Sequence, residues 1–192
     1  MNDALPPAAS IAHRRNRNIL LLIAMMVFGS FLAAGVLRFS GWQPAGMKNR
    51  GEMLKPPGDL RQLEPQLADG RRYQWQPLRR QWRILVVAPA NCTSECRQLA
   101  ENLEKVWQLS GRDANRVELL WLGGLPTGLA SDSRLQALQE SAAIRAALPG
   151  AEAATAPMTY IVDPNGFAIL RYPPGHDPGD LRYDLMKLLK LR

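Results

Sequence analysis

Side chains that bind metals or carry redox chemistry are scarce in this chain: 192 residues hold two cysteines, Cys92 and Cys96, and two histidines, His13 and His176. That scarcity excludes a disulfide-dense secreted scaffold and a zinc site of the usual four-ligand spacing. There is also no Ser/His/Asp set and no glycine-rich phosphate cradle, which removes the common hydrolase and nucleotide-binding signatures. Acidic residues are only mildly short. The net charge is +7, yet setting aside residues 1–37 leaves 21 basic against 16 acidic residues. With no nucleic-acid module beside it, so small an excess argues against DNA or RNA binding and equally suits a domain beside anionic lipid. The pairs Arg71-Arg72 and Arg79-Arg80, which alternate with Tyr73 and Trp75, contribute to it.

What the chain does have is one long apolar run. Ile19 to Leu37 are 19 uncharged, mostly apolar residues, which as a helix would span about 28 Å, close to a hydrocarbon core. The run is expected to be a transmembrane helix; the rival reading is a cleaved signal peptide, with Ala33 and Gly35 as small residues for a cleavage site. Arg14, Arg15 and Arg17 favour a cytoplasmic amino end, although Arg38, Lys48 and Arg50 on the far side reduce the asymmetry. The expected layout is a cytoplasmic tail at 1–18, the membrane helix at 19–37, an extended Gly/Pro-punctuated tether at 38–68 and a folded domain at 69–192. In an inner membrane that domain is periplasmic, where a dithiol is readily oxidised and needs partners to keep it reduced.

Within the domain, "DG" at 69–70 is a hairpin signal, and "RILVVA" at 83–88 and "RVELLWL" at 116–122 read as buried central strands. Between them Cys92, Cys96, Leu99, Leu103 and Val106 recur at helical spacing, with Asn91 as the expected N-cap and Gly111 as the stop. Ser133 and Gln136 resemble a capping box opening a second helix that closes at Pro149-Gly150. "MTYIV", the turn "DPNG" and "FAILR" make a hairpin, and a final helix is expected from Asp180 to Leu191. Trp75, Trp82, Trp107 and Trp121 suit packing roles.

A C-x3-C pair on a helix puts its Cα atoms about 6 Å apart, within the range a disulfide tolerates, and two convergent thiolates are also soft ligands of the kind that select Cu(I). At a helix start the free N–H groups favour the thiolate of Cys92, the form that attacks disulfides and binds metals, while Glu95 opposes this. Cys92 is expected to be exposed and reactive and Cys96 buried. The plainer reading is an inert core pair or a structural staple, but a bridge over three intervening residues removes little chain entropy.

The order β–α–β–α–β–β–α, with the dithiol where the first central strand meets its helix, is the thioredoxin-like α/β arrangement, a central mixed sheet flanked by helices. Pro157 in "PMTYIVDPNG" resembles the cis-proline that thioredoxin-like proteins place opposite the dithiol. "DGRRYQWQPLRRQWRILVVAPANCTSEC" resembles the hairpin, strand and dithiol turn of membrane-anchored periplasmic members, and the C-x3-C spacing resembles the SCO-like branch. That resemblance covers roughly residues 69–191. It implies a membrane-anchored copper chaperone or thiol–disulfide exchange protein of cytochrome c oxidase assembly, a thiol–disulfide oxidoreductase if it is an enzyme. The partner would be a respiratory oxidase subunit or another assembly factor, with no nucleic acid and no small-molecule substrate. The resemblance implies roles for Cys92, Cys96 and Pro157 in catalysis, and possible Cu(I) ligation by Cys92 and Cys96. The histidine that completes the SCO-type site is replaced here by about Thr155. His176, expected at the dithiol end, and Met158 are the candidate substitutes, each weighed against a loop or core role; His13 lies on the other side of the membrane. The alternative is a non-catalytic assembly or scaffolding protein that keeps the fold and anchor.

Overall fold

The computed structural model describes residues 7–40, 49–126, 128–129, 134–152 and 154–190, with side chains from Asn16 onward. It divides into two compact units, Met1–Met47 and Lys48–Arg192. The first unit is helix α1, Pro7–Phe39. It begins earlier than the apolar run: Pro7 is tolerated in a first helical turn, and no glycine or further proline interrupts the residues that follow until Gly29. Within it Asn16–Phe39 is long and apolar enough to cross a membrane. Leu22 and Phe28 stand 69% and 71% exposed, as expected of a helix apolar on every side.

The second unit is built on a six-stranded sheet in the order β1-β6-β5-β2-β3-β4. The strands are β1 (Glu52–Asp59), β2 (Trp82–Val87), β3 (Val117–Leu122), β4 (Leu135–Leu138), β5 (Met158–Val162) and β6 (Phe167–Tyr172). β2, β3 and β4 run parallel, while β5, β6 and β1 each pair antiparallel with their neighbours. All six residues of β2 and of β3 are buried, the signature of central strands covered on both faces. Alternation sorts them into two cores. Ile84, Val86, Leu119 and Trp121 join Leu103 and Val106 of α2 (Ser94–Gln108) and Leu181 and Leu185 of α4 (Pro178–Leu188). Leu85, Val87, Leu120 and Leu122 join Ile144 of the short α3 (Ala142–Ala147) and Leu148 just beyond it.

Several elements of the second unit differ from the sequence expectation. Residues 49–68 are not an extended tether: β1 lies there, paired with β6 from Glu52↔Arg171 to Asp59↔Phe167, and Leu54 and Leu60 are buried. Pro56 and Pro57 concealed the strand. They fall in an irregularity between Met53 and Gly58 of an edge strand, where missing N–H groups cost no ladder bond. The rest of the expected tether, 41–48, lies outside the described residues.

Residues expected to form a helix from Ser133 instead give β4, because the free edge of β3 offers parallel pairing at Leu119↔Leu135 through Leu122↔Leu138 and burial for Ala137 and Leu138. Ser133 itself lies outside the described residues. The true cap is Ser141, whose side chain accepts from the Ile144 N–H at 3.3 Å. Lastly, α2 starts at Ser94 with Thr93 as N-cap, not Asn91, because the chain first turns at Pro89, whose carbonyl accepts from the Cys92 N–H at 3.3 Å. α2 stops at Gln108, before a 3-10 segment that Gly111 opens. The "DG" turn does form, with the Leu67 N–H on the Arg71 carbonyl at 2.8 Å, but continues only as isolated bridges.

Strand register fixes what meets at each end of the sheet. Val87 at the close of β2 lies opposite Met158 at the start of β5; Thr159 lies opposite Tyr172, and Arg171 opposite Glu52. One end therefore collects the cysteine turn, Pro157, the loop after Tyr172 and the residues that lead into β1. There the buried Asp184 of α4 accepts from the Arg50 and Gly51 N–H groups and from the Tyr172 hydroxyl, each at 2.8 Å. At the other end Arg83, 1% exposed, lies 3.6 Å from the buried carboxylate of Glu118.

Candidate functional site

β2 ends in Val87-Ala88, Pro89 breaks the strand, and the chain turns once before α2 opens. Cys92 sits in that turn and Cys96 in the first turn of α2. They are joined as a disulfide with Cα atoms 5.6 Å apart. The two sulfurs are unequal. Cys96 is fully buried in the core beneath α2, whereas Cys92 packs at the edge of that core and is half-exposed. Thr93 caps α2 without a side-chain hydrogen bond. The positive end of the helix thus lies beside Cys92 with no side-chain oxygen of its cap to offset it, which favours a thiolate there once the bond is reduced.

Around Cys92 opens a cleft of about 280 Å³ lined by Pro89, Asn91, Thr93, Ser94, Glu95 and Thr155. Thr155, standing where the sequence lacks a histidine, thus borders the sulfur site, but its hydroxyl offers no soft donor. A larger groove of about 650 Å³ runs along the outer side of α2, where Glu95, Leu99 and Asn102 face Pro157 and His176. Glu95 is common to both.

Pro157 is buried at the threshold of β5 and lines the groove. It is not a cis-proline: among the described residues the one cis peptide is Lys55–Pro56. The chain enters β5 directly through the ordinary trans form. His176 reaches the same end of the sheet and the groove. Its Nδ1 lies 3.0 Å from the Pro173 carbonyl, its ring packs on Tyr172 at 5.2 Å, and its Nε2 is buried without a partner. Burial holds the imidazole below its ordinary pKa, so it favours the neutral form. The structure does not assemble His176 with the cysteines: among the described residues no three His, Cys, Asp or Glu side chains are grouped to hold a metal. Met158 falls on the far face of the sheet, beside Val87 and away from the sulfurs, and serves the core. His13 lies in α1, before the first residue whose side chain is described, Asn16.

Two site features were not anticipated. Glu95 links the sulfur cleft to the groove, which a sequence pattern shows only as one acid in a helix start. The unpartnered Nε2 of His176 depends on the fold of the Pro/Gly loop, which has no periodicity to read.

Comparison with known proteins agrees with this geometry. Residues 82–192 match the family model for a transmembrane-like, thioredoxin-like, C-terminal domain. No curated protein sequence matches the chain. Among solved structures, a SCO1/SenC family lipoprotein from Bacillus anthracis superposes with a TM-score of 0.51 at 15% identity, over 71% of this chain and 99% of that one. BsSco, a member of the Sco family of cytochrome c oxidase assembly proteins, gives 0.50 at 12% identity, over 76% and 98%. GPX1 of T. cruzi gives 0.52 at 14% identity, over 68% and 96%. At such identities these likenesses speak for the fold.

Proposed function

Because the chain belongs to the transmembrane-like, thioredoxin-like C-terminal domain family, we propose that it is a membrane-anchored thiol–disulfide exchange protein of the SCO-like kind. In this reading α1 is the anchor with its amino end cytoplasmic, and the domain works on the periplasmic side upon a thiol pair of a respiratory oxidase subunit or assembly factor. One observation carries it: the two cysteines are bonded to each other at a helix start, one buried and one facing a cleft. A staple has no use for that asymmetry, whereas exchange needs one accessible sulfur and one sheltered sulfur to resolve the mixed disulfide.

In the reduced chain, the Cys92 thiolate attacks a partner's disulfide, forming a mixed disulfide and releasing one partner thiolate. The Cys96 thiolate then attacks the Cys92 sulfur, releasing the second partner thiolate and leaving the Cys92–Cys96 bond found here. Two electrons pass to the partner, and a further dithiol must restore the chain. Pro157 and the groove beside it would form the surface on which the partner lies.

Cu(I) is the second reading, favoured by two adjacent sulfurs of which one, Cys92, borders an open cleft. As cargo it would meet two soft donors after reduction, and the partner would have to complete the shell, since the described residues add no third.

Equilibrating the full-length protein with glutathione buffers and trapping thiols by alkylation tests the exchange reading. The expected potential lies between about −270 and −120 mV, the span of exchange proteins. A bond that resists reduction to below about −300 mV behaves as a structural staple and sinks the proposal. In the reduced protein Cys92 should alkylate first.

A further inference from the structure

The end of the sheet remote from the disulfide carries a knob. Leu78 is 99% exposed, more than any other large apolar side chain described in the unit Lys48–Arg192. It stands on a single 3-10 turn, Pro77–Arg79, flanked by Gln76 at φ 41° and Arg80 at φ 49°. Left-handed backbone is disfavoured for residues with a Cβ, and two such residues bracket the leucine.

The base of the knob is nevertheless fixed. The buried Arg83 donates to the Trp75 carbonyl, where the chain enters the knob, and to the Gln81 carbonyl, where it leaves, at 3.0 Å for the latter. The same guanidinium donates to the Asp163 and Pro164 carbonyls of the adjacent turn at 3.4 and 3.2 Å. The Trp75 indole is held by the Leu63 carbonyl at 3.1 Å. Exposed cations surround the tip. Arg72 and Arg79 border one small cleft with Gln74 and Gln76; Arg72 pairs with the exposed Glu64 at 3.0 Å, whereas neither Arg79 nor Arg80 has an ion-pair partner among the described residues.

We propose that this knob docks on an anionic lipid surface, with Leu78 entering the boundary between headgroups and acyl chains while Arg79 and Arg80 face headgroup phosphates. A lone apolar tip in a polar, cationic collar suits a bilayer, which accepts one side chain without a complementary pocket. Its charge suits anionic lipid, each arginine near such a surface strengthening attraction roughly fivefold. The same chain carries the candidate span Asn16–Phe39, which would bring a bilayer to the domain. Docked this way, the disulfide at the far end of β2 is held roughly 20 Å off the lipid, a consequence that rests on the exchange reading although the docking itself does not.

Hydrogen exchange on the full-length chain in lipid nanodiscs, one copy per disc, tests the proposal. Amides of residues 76–81 should exchange several-fold more slowly in discs containing phosphatidylglycerol than in pure phosphatidylcholine. That difference should shrink with added salt and vanish in Leu78→Asp and in Arg79→Glu/Arg80→Glu, with β2 and β3 amides unchanged as the folding control. Equal exchange in the two lipids overturns the proposal, as does protection that survives charge reversal. Protection appearing only in discs with two copies assigns the knob to a second copy of the chain and overturns it too.

Discussion

Replacing Arg83 by methionine tests whether the buried polar network at the knob end organises the fold. The guanidinium is 1% exposed and 3.6 Å from Glu118, which is 6% exposed. It also donates to the Tyr73 hydroxyl at 2.6 Å and to the carbonyls of Trp75, Gln81, Asp163 and Pro164. Tyr73 in turn donates to Glu118, and Gln136 donates to the other carboxylate oxygen at 2.6 Å. Burial raises the Tyr73 phenol well above its ordinary pKa, so it remains a donor. Arg83→Met keeps the aliphatic volume but strands a buried carboxylate and four carbonyls. Breaking a buried pair in this way costs about 3–5 kcal/mol. Two neutral donors remain on Glu118, so the loss should be near 4 kcal/mol, or about 12 °C in Tm for a domain of this size.

Urea unfolding followed by tryptophan fluorescence, with Trp75 stacked 5.4 Å from the guanidinium, measures it. Adding Glu118→Met should recover about 2 kcal/mol by removing the stranded charge, a non-additivity expected of coupled neighbours. The carbonyls would account for what is not recovered. A single-variant loss below about 1 kcal/mol, or strict additivity in the double variant, refutes the reasoning.

Other perturbations address the disulfide end. Thr155→His places an imidazole on the cleft that holds Cys92, and the reduced variant should take Cu(I) from a competing chelator at least tenfold better than wild type; no gain would show that Thr155 is not positioned to complete a donor set. Gly51→Ala would set a Cβ 2.5 Å from the Tyr172 ring, displacing the ring that donates to Asp184; a loss of about 2–3 kcal/mol is expected, and a neutral variant would show that the backbone at residues 50–51 yields freely. Burial holds His176 below its unfolded pKa of 6.5, so the unfolded chain binds the extra proton first: stability is full above about pH 7 and falls as pH drops through 6.5 toward the folded value. His176→Gln should flatten that part of the pH profile, and an unchanged slope between pH 7 and 5 would show that the ring titrates alike in both states.

The fold was legible in the sequence wherever the pattern was set by burial alone. β2 and β3 are continuous apolar runs because both faces are covered, and the β5–β6 hairpin announces itself through Asp163, whose carboxylate caps the Asn165 and Phe167 N–H groups at 2.9 and 2.8 Å. The elements misread were those whose identity comes from a neighbour. β1 contains two prolines and a glycine, and exists because β6 offers it an edge. β4 has four residues with helix-compatible side chains, and exists because β3 does.

The site divides the same way. Cys92, Cys96 and the position of Pro157 at the head of β5 could be read from spacing. The trans form of that proline, the isolation of His176 from the sulfurs and the placement of Met158 on the opposite face depend on loop geometry and strand register, which carry no one-dimensional signature.

The Asp184 carboxylate that grips the Arg50 and Gly51 amides has a mechanical consequence. An edge strand pulled from its first residue would unzip bond by bond, and here the chain joins the anchor just upstream of that residue. With the grip in place, tension arriving along the backbone is diverted into α4, a helix seated in the core, before it loads the β1–β6 ladder. Drag on the anchor should therefore leave the sheet intact until the carboxylate lets go, and in a pulling experiment that release would register as the first rupture.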